Sequence, residues 1–289
     1  MNRSIQIDGL CYSYNSTVNV VSGRASAGKA YPSDFAVFDI NLNIYDNDFI
    51  AIIGQNGSGK TTLLKNITGL LRPTSGSIFI RGKDSREMTV SAISGEIGFV
   101  MQNPDRQLFA DTVYAEISFA LKNQKLPENE ITRRVEDALA AVGLSDVKDA
   151  YPPALSRGER AKVVIASVLA MEPKILILDE PTGGQDYRNS LKIMDIACAL
   201  HKKGHTVIFV THNMSLACAY ARRIVVMKDK RIVMDESTEN VFCRESLPPH
   251  ILPPPINRLS RELRKELSLP KIALNVQELG DMLFSRPSP

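Results

Sequence analysis

Cysteine is scarce in this sequence, and it has neither a long apolar run nor a strong net charge. The four cysteines are far apart and form no CxxC pair, so we expect reduced thiols, as in a cytoplasmic protein. No apolar run approaches the ~18–20 residues that cross a bilayer, and the N-terminus lacks the apolar segment of a signal peptide. We therefore expect neither a membrane span nor export. A net charge of +3 is too small to predict a nucleic-acid partner.

The rest of the composition and the residue patterns are typical of a globular α/β protein. Apolar residues make up 44% and charged residues 23% of the chain. Short apolar segments such as FIAIIG, KILILDE and HTVIFVTH predict buried strands, and amphipathic segments between them predict helices. The alternation predicts an α/β fold with a mainly parallel sheet, accompanied by an antiparallel β subdomain.

Three segments depart from this alternation. Residues of about 15–34 are rich in Ser, Ala and Gly and predict a loop insertion. Residues of about 103–164 predict an inserted helical subdomain within a domain that spans residues 1–245. The proline-rich stretch LPPHILPPPI then predicts a linker, and residues 246–289 a small C-terminal extension that contains two short helices.

The pattern GxxxxGK, which is typical of phosphate-binding loops, occurs twice. The copy at Gly54–Thr61 follows an apolar strand and precedes a helix that we expect to begin at Lys60, so its amides can bind phosphate oxygens. Lys60 would reach the β- and γ-phosphates, and the Thr61 hydroxyl would bind Mg²⁺. The copy at Gly23–Ala30 offers Ala30 where a magnesium ligand is needed and lies in the predicted insertion, so we interpret it as a chance match.

Two adjacent carboxylates follow a second apolar strand in ILILDEPT, at Ile175–Thr182. Asp179 is placed to hold Mg²⁺, and Glu180 to orient or deprotonate a water that attacks the γ-phosphate. Such a pair is weak evidence alone, but downstream of a phosphate-binding loop it indicates nucleotide hydrolysis.

With these two motifs, the sequence resembles the ATP-binding-cassette (ABC) ATPase family of P-loop NTPases. The resemblance covers about Ser4 to Phe242. Further motifs match that family in its own order: Gln102 at the Gln loop, Leu155–Glu159 at the signature, Gly183–Asp186 at the D-loop and His212 at the switch histidine. Tyr14 matches the aromatic residue that stacks on adenine, with Tyr12 as the alternative.

The resemblance implies ATP and Mg²⁺ as cofactors and assigns roles to individual residues. It implies that two ABC ATPases pair head to tail, each contributing its signature to the ATP held by the other. The implied catalytic residues are Glu180, His212, Lys60 and Gln102, and the implied metal ligands are Thr61, Gln102 and Asp179. The implied nucleotide-binding residues are Tyr14, Gly54, Gln55, Asn56, Gly57, Ser58, Gly59, Lys60, Thr61, Thr62, Ser156, Gly158 and Asp186.

The chain departs from the family pattern at the signature and the D-loop. Leu-Ser-Arg-Gly-Glu has Arg157 in place of Gly and Glu159 in place of Gln, and Gln185 stands where Leu is usual in the D-loop. Ser156 and Gly158, which make the contacts, are kept. A working but tuned signature and a weakened one both remain open.

QNPDRQLFADTVYAEISFAL, after the Gln loop, is similar to the ATPases of energy-coupling-factor (ECF) importers for vitamins or transition metals, as is the C-terminal extension. The similarity implies three partners: a second ABC ATPase, identical or homologous; a transmembrane coupling subunit; and, through it, a membrane protein that captures the substrate. The chain would then be peripheral, at the cytoplasmic face of the cell membrane. The alternatives are the ATPase of a conventional ABC importer, a cassette acting on DNA or the ribosome, and a low-turnover partner in a heterodimeric ATPase pair.

Overall fold

A six-stranded, mainly parallel sheet forms the centre of the computed structural model, which describes residues 2–15, 34–244, 251–267 and 269–284. The strands in chain order are β1 (Arg3–Tyr12), β2 (Val37–Tyr45), β3 (Phe49–Gly54), β4 (Ser75–Ile80), β5 (Lys83–Asp84), β6 (Ile97–Val100), β7 (Ile175–Asp179), β8 (Thr206–Val210), β9 (Arg223–Lys228) and β10 (Arg231–Ser237). The large sheet has the order β10-β9-β3-β8-β7-β6, in which β10 is antiparallel to β9 and every other pair is parallel.

The middle strands of this sheet are buried on both faces, which explains their apolar composition. β7 and β8 are buried at every residue, and β3 at all but its last. One face of these strands packs against helices and the other against the first helix and a second sheet, so an alternating pattern is not required. The expected α/β core with a mainly parallel sheet is therefore confirmed.

A second sheet, of order β2-β1-β4-β5, is antiparallel throughout. Its inward residues alternate with exposed ones, and they pack with the first helix and one face of the large sheet in a single apolar cluster. This packing fixes the first strand, and the residues that follow it, beside the phosphate-binding loop.

The helices are α1 (Lys60–Ile67), α2 (Val90–Glu96), α3 (Val113–Asn123), α4 (Glu128–Val142), α5 (Arg157–Ala170), α6 (Tyr187–Lys202), α7 (Met214–Tyr220), α8 (Thr238–Phe242), α9 (Pro255–Leu267) and α10 (Val276–Phe284). Within the helical subdomain expected over about 103–164, α3 and α4 are separate helices. Lys125 has a φ of 58°, and Pro127 caps the second helix. A proline fits just before a helix but not inside one, so the chain turns there. α3, α4 and α5 pack on one another, and in the chain they lie between β6 and β7.

The C-terminal helices form a small apolar cluster of their own around Leu269, Ala273 and Leu279. The buried Cys218 thiol attaches these helices to the core, because it lies 3.6 Å from Asn257 Oδ1 and donates to the Leu274 carbonyl at 3.2 Å. Within the C-terminal segment, the Asn257 side-chain amide donates to the Ala273 carbonyl at 2.5 Å. Within the described residues, no helix is long and apolar enough to cross a membrane. Most of the predicted insertion, with its GxxxxGK copy at 23–29, and residues 245–250 of the predicted linker lie outside the described residues.

Candidate functional site

The loop between β3 and α1 wraps around the amino group of Lys60. Lys60 Nζ donates to the carbonyl oxygens of Gly54 at 2.8 Å and Gln55 at 2.9 Å. Gly59, which precedes the helix, has a φ of 100°, and a Cβ there would stand 2.5 Å from the Ala36 carbonyl oxygen. Only glycine fits both conditions. Burial lowers the pKa of Lys60, against the opposing effect of nearby carboxylates.

A cavity of about 780 Å³ opens above this loop. Its lining brings together residues from the loop, the Gln loop and the ends of β7 and β8. It is lined by Ser13, Tyr14, Asn15, Asp34, Phe35, Ala36, Asn56, Gly57, Gly59, Lys60, Thr61, Thr62, Gln102, Glu180, His212 and Lys230. Of the predicted loop residues, Gly54 and Gln55 lie beneath Lys60, and Ser58 is 4% exposed.

The buried carboxylate at the end of β7 meets the chemical requirements of a magnesium site. Asp179 is 2% exposed, and its Oδ1 has no hydrogen-bond partner among the described residues, as is also the case for Ser58 Oγ. A buried oxygen without a partner is costly, so a cation or its water shell would satisfy it. Burial raises the pKa of Asp179, and a hydrogen bond with Thr61 opposes that rise. The residues present therefore fit Mg²⁺ bound through Asp179 and Thr61.

Glu180 is held from two sides by the side chains predicted to act with it. Gln102 Nε2 donates to Glu180 Oε2 at 2.7 Å, and His212 Nε2 contacts Glu180 Oε1. Glu180 has a φ of 49°, in the left-handed region, and its amide donates to the Val210 carbonyl at the end of β8. A non-glycine residue in this conformation is strained and is common at functional sites. The three side chains form one connected group in the lining of the cavity.

Tyr14, rather than Tyr12, faces the cavity. Tyr14 is 63% exposed, and its hydroxyl lies 3.3 Å from Thr62 Oγ1. Tyr12 packs edge-on against Tyr14 with ring centroids 5.0 Å apart and contacts the apolar cluster behind it. An exposed ring at the rim of the cavity is available to stack on a flat base.

The signature and D-loop residues lie elsewhere on the same chain. Among the described residues that line the cavity, neither Ser156, Gly158 nor Asp186 occurs. Ser156 caps α5, and its hydroxyl donates to Glu159 Oε2 at 2.7 Å, which also accepts from the Ser156 amide at 2.9 Å. Asp186 caps α6 through the Asn189 amide at 2.7 Å.

Sequence reasoning missed part of the cavity wall. Phe35 and Ala36 precede β2, and Lys230 lies in the turn between β9 and β10. The Phe38 amide donates to the Lys230 carbonyl at 2.8 Å, which places this turn beside the cavity. Nothing in the local sequence signals that contact, because the two segments are distant along the chain.

Comparison with known proteins agrees with this geometry. The family model described as "ABC transporter" matches residues 37–183. A putative ABC transporter ATP-binding protein of Caldanaerobacter subterraneus subsp. tengcongensis is 44% identical over 80% of this chain and 41% of its own length. The chain thus spans about two fifths of the curated relatives it matches at 42–44% identity.

Other relatives match the chain from end to end. The energy-coupling factor transporter ATP-binding protein EcfA1 of Symbiobacterium thermophilum is 35% identical over 99% of both chains. The solved structure of cbiO1 from Clostridium perfringens, described as part of the ABC transporter complex cbiONQ, superposes with a TM-score of 0.74 at 34% identity and covers 93% of this chain and 97% of its own. With its loop, carboxylate pair and switch histidine brought together as described, the chain belongs to the ABC transporter ATP-binding family.

Proposed function

We propose that this chain is an ATP hydrolase that powers an energy-coupling-factor type importer, and that it acts by ATP-driven closure of an ATPase dimer. The observation that carries the hydrolase proposal is the group formed by Glu180, Gln102 and His212 beside the phosphate-binding loop. A carboxylate fixed from both sides can orient a water molecule and accept its proton, which is the role of a general base. His212 is placed to stabilise charge on the transferred phosphoryl.

The phosphate-binding loop and Tyr14 are proposed to hold the nucleotide. The amides of Gly54–Thr62 would bind the phosphates, and Lys60 would exchange its two carbonyl contacts for the β- and γ-phosphates. Thr61, Asp179 and Gln102 would hold Mg²⁺, which supplies positive charge against the phosphate oxygens when bound. The cavity volume of about 780 Å³ is sufficient for a nucleotide.

A second ABC ATPase, identical or homologous, is the proposed partner that completes each site. Ser156 and Gly158 begin α5, where amides at a helix N-terminus favour an anion. They do not line the cavity of their own chain, and neither does Asp186, so they are placed to serve a partner's nucleotide.

The membrane partner is proposed from the surface that follows Gln102. Phe109 and Phe119 are 64% and 48% exposed, and they pack edge-on with centroids 4.7 Å apart. Exposed aromatic pairs are typical of protein interfaces, so this pair suits a helix of a transmembrane coupling subunit. Together with the names of EcfA1 and its relatives, it supports an ECF importer for a vitamin or a transition metal. The chain would be peripheral at the cytoplasmic face, and the substrate would be captured by a separate membrane protein.

A second candidate function is that of the low-turnover subunit in a heterodimeric ATPase pair. It is favoured by one observation: the Ser156 hydroxyl is already engaged by Glu159. The remaining alternative is that this chain is the ATPase of a conventional ABC importer. The hydrolytic site would be the same in both kinds of importer, and only the membrane partner would differ.

Hydrolysis of Mg·ATP by the purified chain tests the proposal. We expect Glu180→Gln to reduce turnover by ~10²–10⁴-fold, the contribution of a general base, while ATP binding is retained. Glu87→Gln removes an exposed carboxylate outside the cavity and serves as the matched control. Turnover that survives Glu180→Gln would refute the assigned role. Binding without turnover in the native chain would favour the low-turnover candidate.

A further inference from the structure

Two residues at which this chain departs from the ABC pattern contact each other in the fold. Arg157 lies in the signature and Gln185 in the D-loop, 28 residues further along the chain. Gln185 Nε2 donates to the Arg157 carbonyl oxygen at 3.4 Å. The two departures are therefore parts of one contact rather than separate changes.

The Arg157 guanidinium lies flat against Gly184, beside Gln185. A Cβ added to Gly184 would stand 2.5 Å from Nη1, 2.7 Å from Cζ and 2.9 Å from Nη2. The planar group thus occupies the space that a side chain at this position would take. Gly184 also has a φ of +70°, which favours glycine. Arginine suits this contact because its guanidinium is flat, whereas a lysine ammonium is a compact point charge.

The next signature residue extends the same contact to the start of α6. A Cβ on Gly158 would lie 3.2 Å from Gln185 Oε1 and 3.4 Å from Asn189 Nδ2. The Asn189 backbone amide donates to Asp186 Oδ1 at 2.7 Å, and its side-chain amide donates to Asp186 Oδ2 at 3.0 Å. The signature, the D-loop and the first turn of α6 therefore form a continuous packed unit, which we term the signature clasp (Arg157, Gly158, Gly184, Gln185 and Asn189).

We propose that Arg157 is a positioning residue that clasps the D-loop to the signature of the same chain, so that both approach a partner's nucleotide as one unit. This inference rests on the proposed function, in which Ser156 and Asp186 face a second ATPase. The signature begins α5, in the inserted helical segment, whereas the D-loop follows β7, in the central sheet. Without the clasp, two independent segments would have to be ordered when the dimer closes, and pre-ordering them lowers that entropic cost.

Amide hydrogen exchange without nucleotide tests the clasp directly. In Arg157→Ala and in Gln185→Leu, we expect exchange in the peptide 181–190 to rise about three- to tenfold, the change that loss of one local contact produces. Arg258→Ala, which removes another exposed guanidinium, on α9, is the matched control. Exchange in 181–190 that is equal in the control, the native chain and both variants would overturn the proposal.

ATP titration of dimer formation then links the clasp to function. In a Glu180→Gln background, we expect Arg157→Ala to raise the half-saturating ATP concentration about three- to tenfold. With Glu180 intact, we expect KM to rise and kcat to be retained. An unchanged titration, in a chain that does dimerise, would overturn the positioning role. If the native chain does not bind ATP, the proposed function fails, while hydrogen exchange still decides whether the clasp exists.

Discussion

Glu116 holds the loop that carries the exposed Phe109, and its removal should measurably destabilise the protein. The Glu116 side chain is 6% exposed in the first turn of α3, and its Oε2 accepts hydrogen bonds from the amides of Phe109 and Ala110, each at 2.9 Å. Removing the carboxylate leaves both amides without this acceptor. Hydrogen bonds to a charged group contribute ~1.5–3 kcal/mol, and an unsatisfied partner costs ~1–3 kcal/mol. These amides are only partly buried, so we estimate ~2–4 kcal/mol for Glu116→Ala.

Thermal unfolding followed by circular dichroism measures this loss. At ~2–4 °C per kcal/mol, the loss of ~2–4 kcal/mol should lower the Tm of Glu116→Ala by about 4–16 °C. Glu116→Gln, which keeps a neutral acceptor, should lower it by less. Glu128→Ala, at an exposed position in the first turn of α4, controls for loss of a helix-terminal carboxylate. If Glu116→Ala and Glu128→Ala had equal effects, the carboxylate would not be holding the loop.

Two further predictions concern the nucleotide and acid stability. Tyr14→Ala should weaken ATP binding about tenfold, since stacking on a base contributes ~1–3 kcal/mol, whereas Tyr14→Phe should not; a fluorescent-nucleotide titration measures both, and unaltered affinity in the alanine variant would exclude stacking. Hydrogen bonds from Arg133 and Arg134 lower the pKa of Glu130 from 4.5 to about 2, so their stabilisation is complete above pH 4.5 and is lost as the pH falls towards 2. Glu130→Gln should therefore lower the Tm more at pH 7 than near pH 2, and an equal deficit at both pH values would contradict the assignment.

The parts of the site that sequence could predict are those in which the chemistry and the fold share one short segment. Lys60 begins α1, directly after a buried strand and a glycine-rich turn, as expected. Asp179 ends β7, Glu180 follows it, and His212 follows β8; they meet because parallel strands place their carboxyl ends at one edge of the sheet. The loop, the carboxylates and the histidine therefore meet for reasons that local patterns reveal.

Contacts between distant segments could not be predicted in this way. Lys230 lines the cavity because a hairpin turn packs on β2, and Arg157 meets Gly184 because a helix packs beside a loop. One missed feature did carry a local signal. Ser156 and Glu159 are three residues apart at the start of a helix, which is the spacing of a capping box.

That capping box also bears on whether the altered signature is tuned or broken. For Ser156 to donate to a partner's phosphate, its hydroxyl must leave Glu159, and the hydrogen bond given up contributes ~1.5–3 kcal/mol. The hydrogen bond from Ser156 also lowers the pKa of Glu159, so a carboxylate rather than a neutral acid must release it. A cost of this size weakens an interaction by ~10–100-fold. This cost does not abolish the interaction, because the phosphate accepts a charge-assisted hydrogen bond from the same hydroxyl and is also stabilised by the helix N-terminus. On these magnitudes we infer a signature tuned towards weaker nucleotide capture, with Arg157 acting on the D-loop rather than replacing the lost glycine's role.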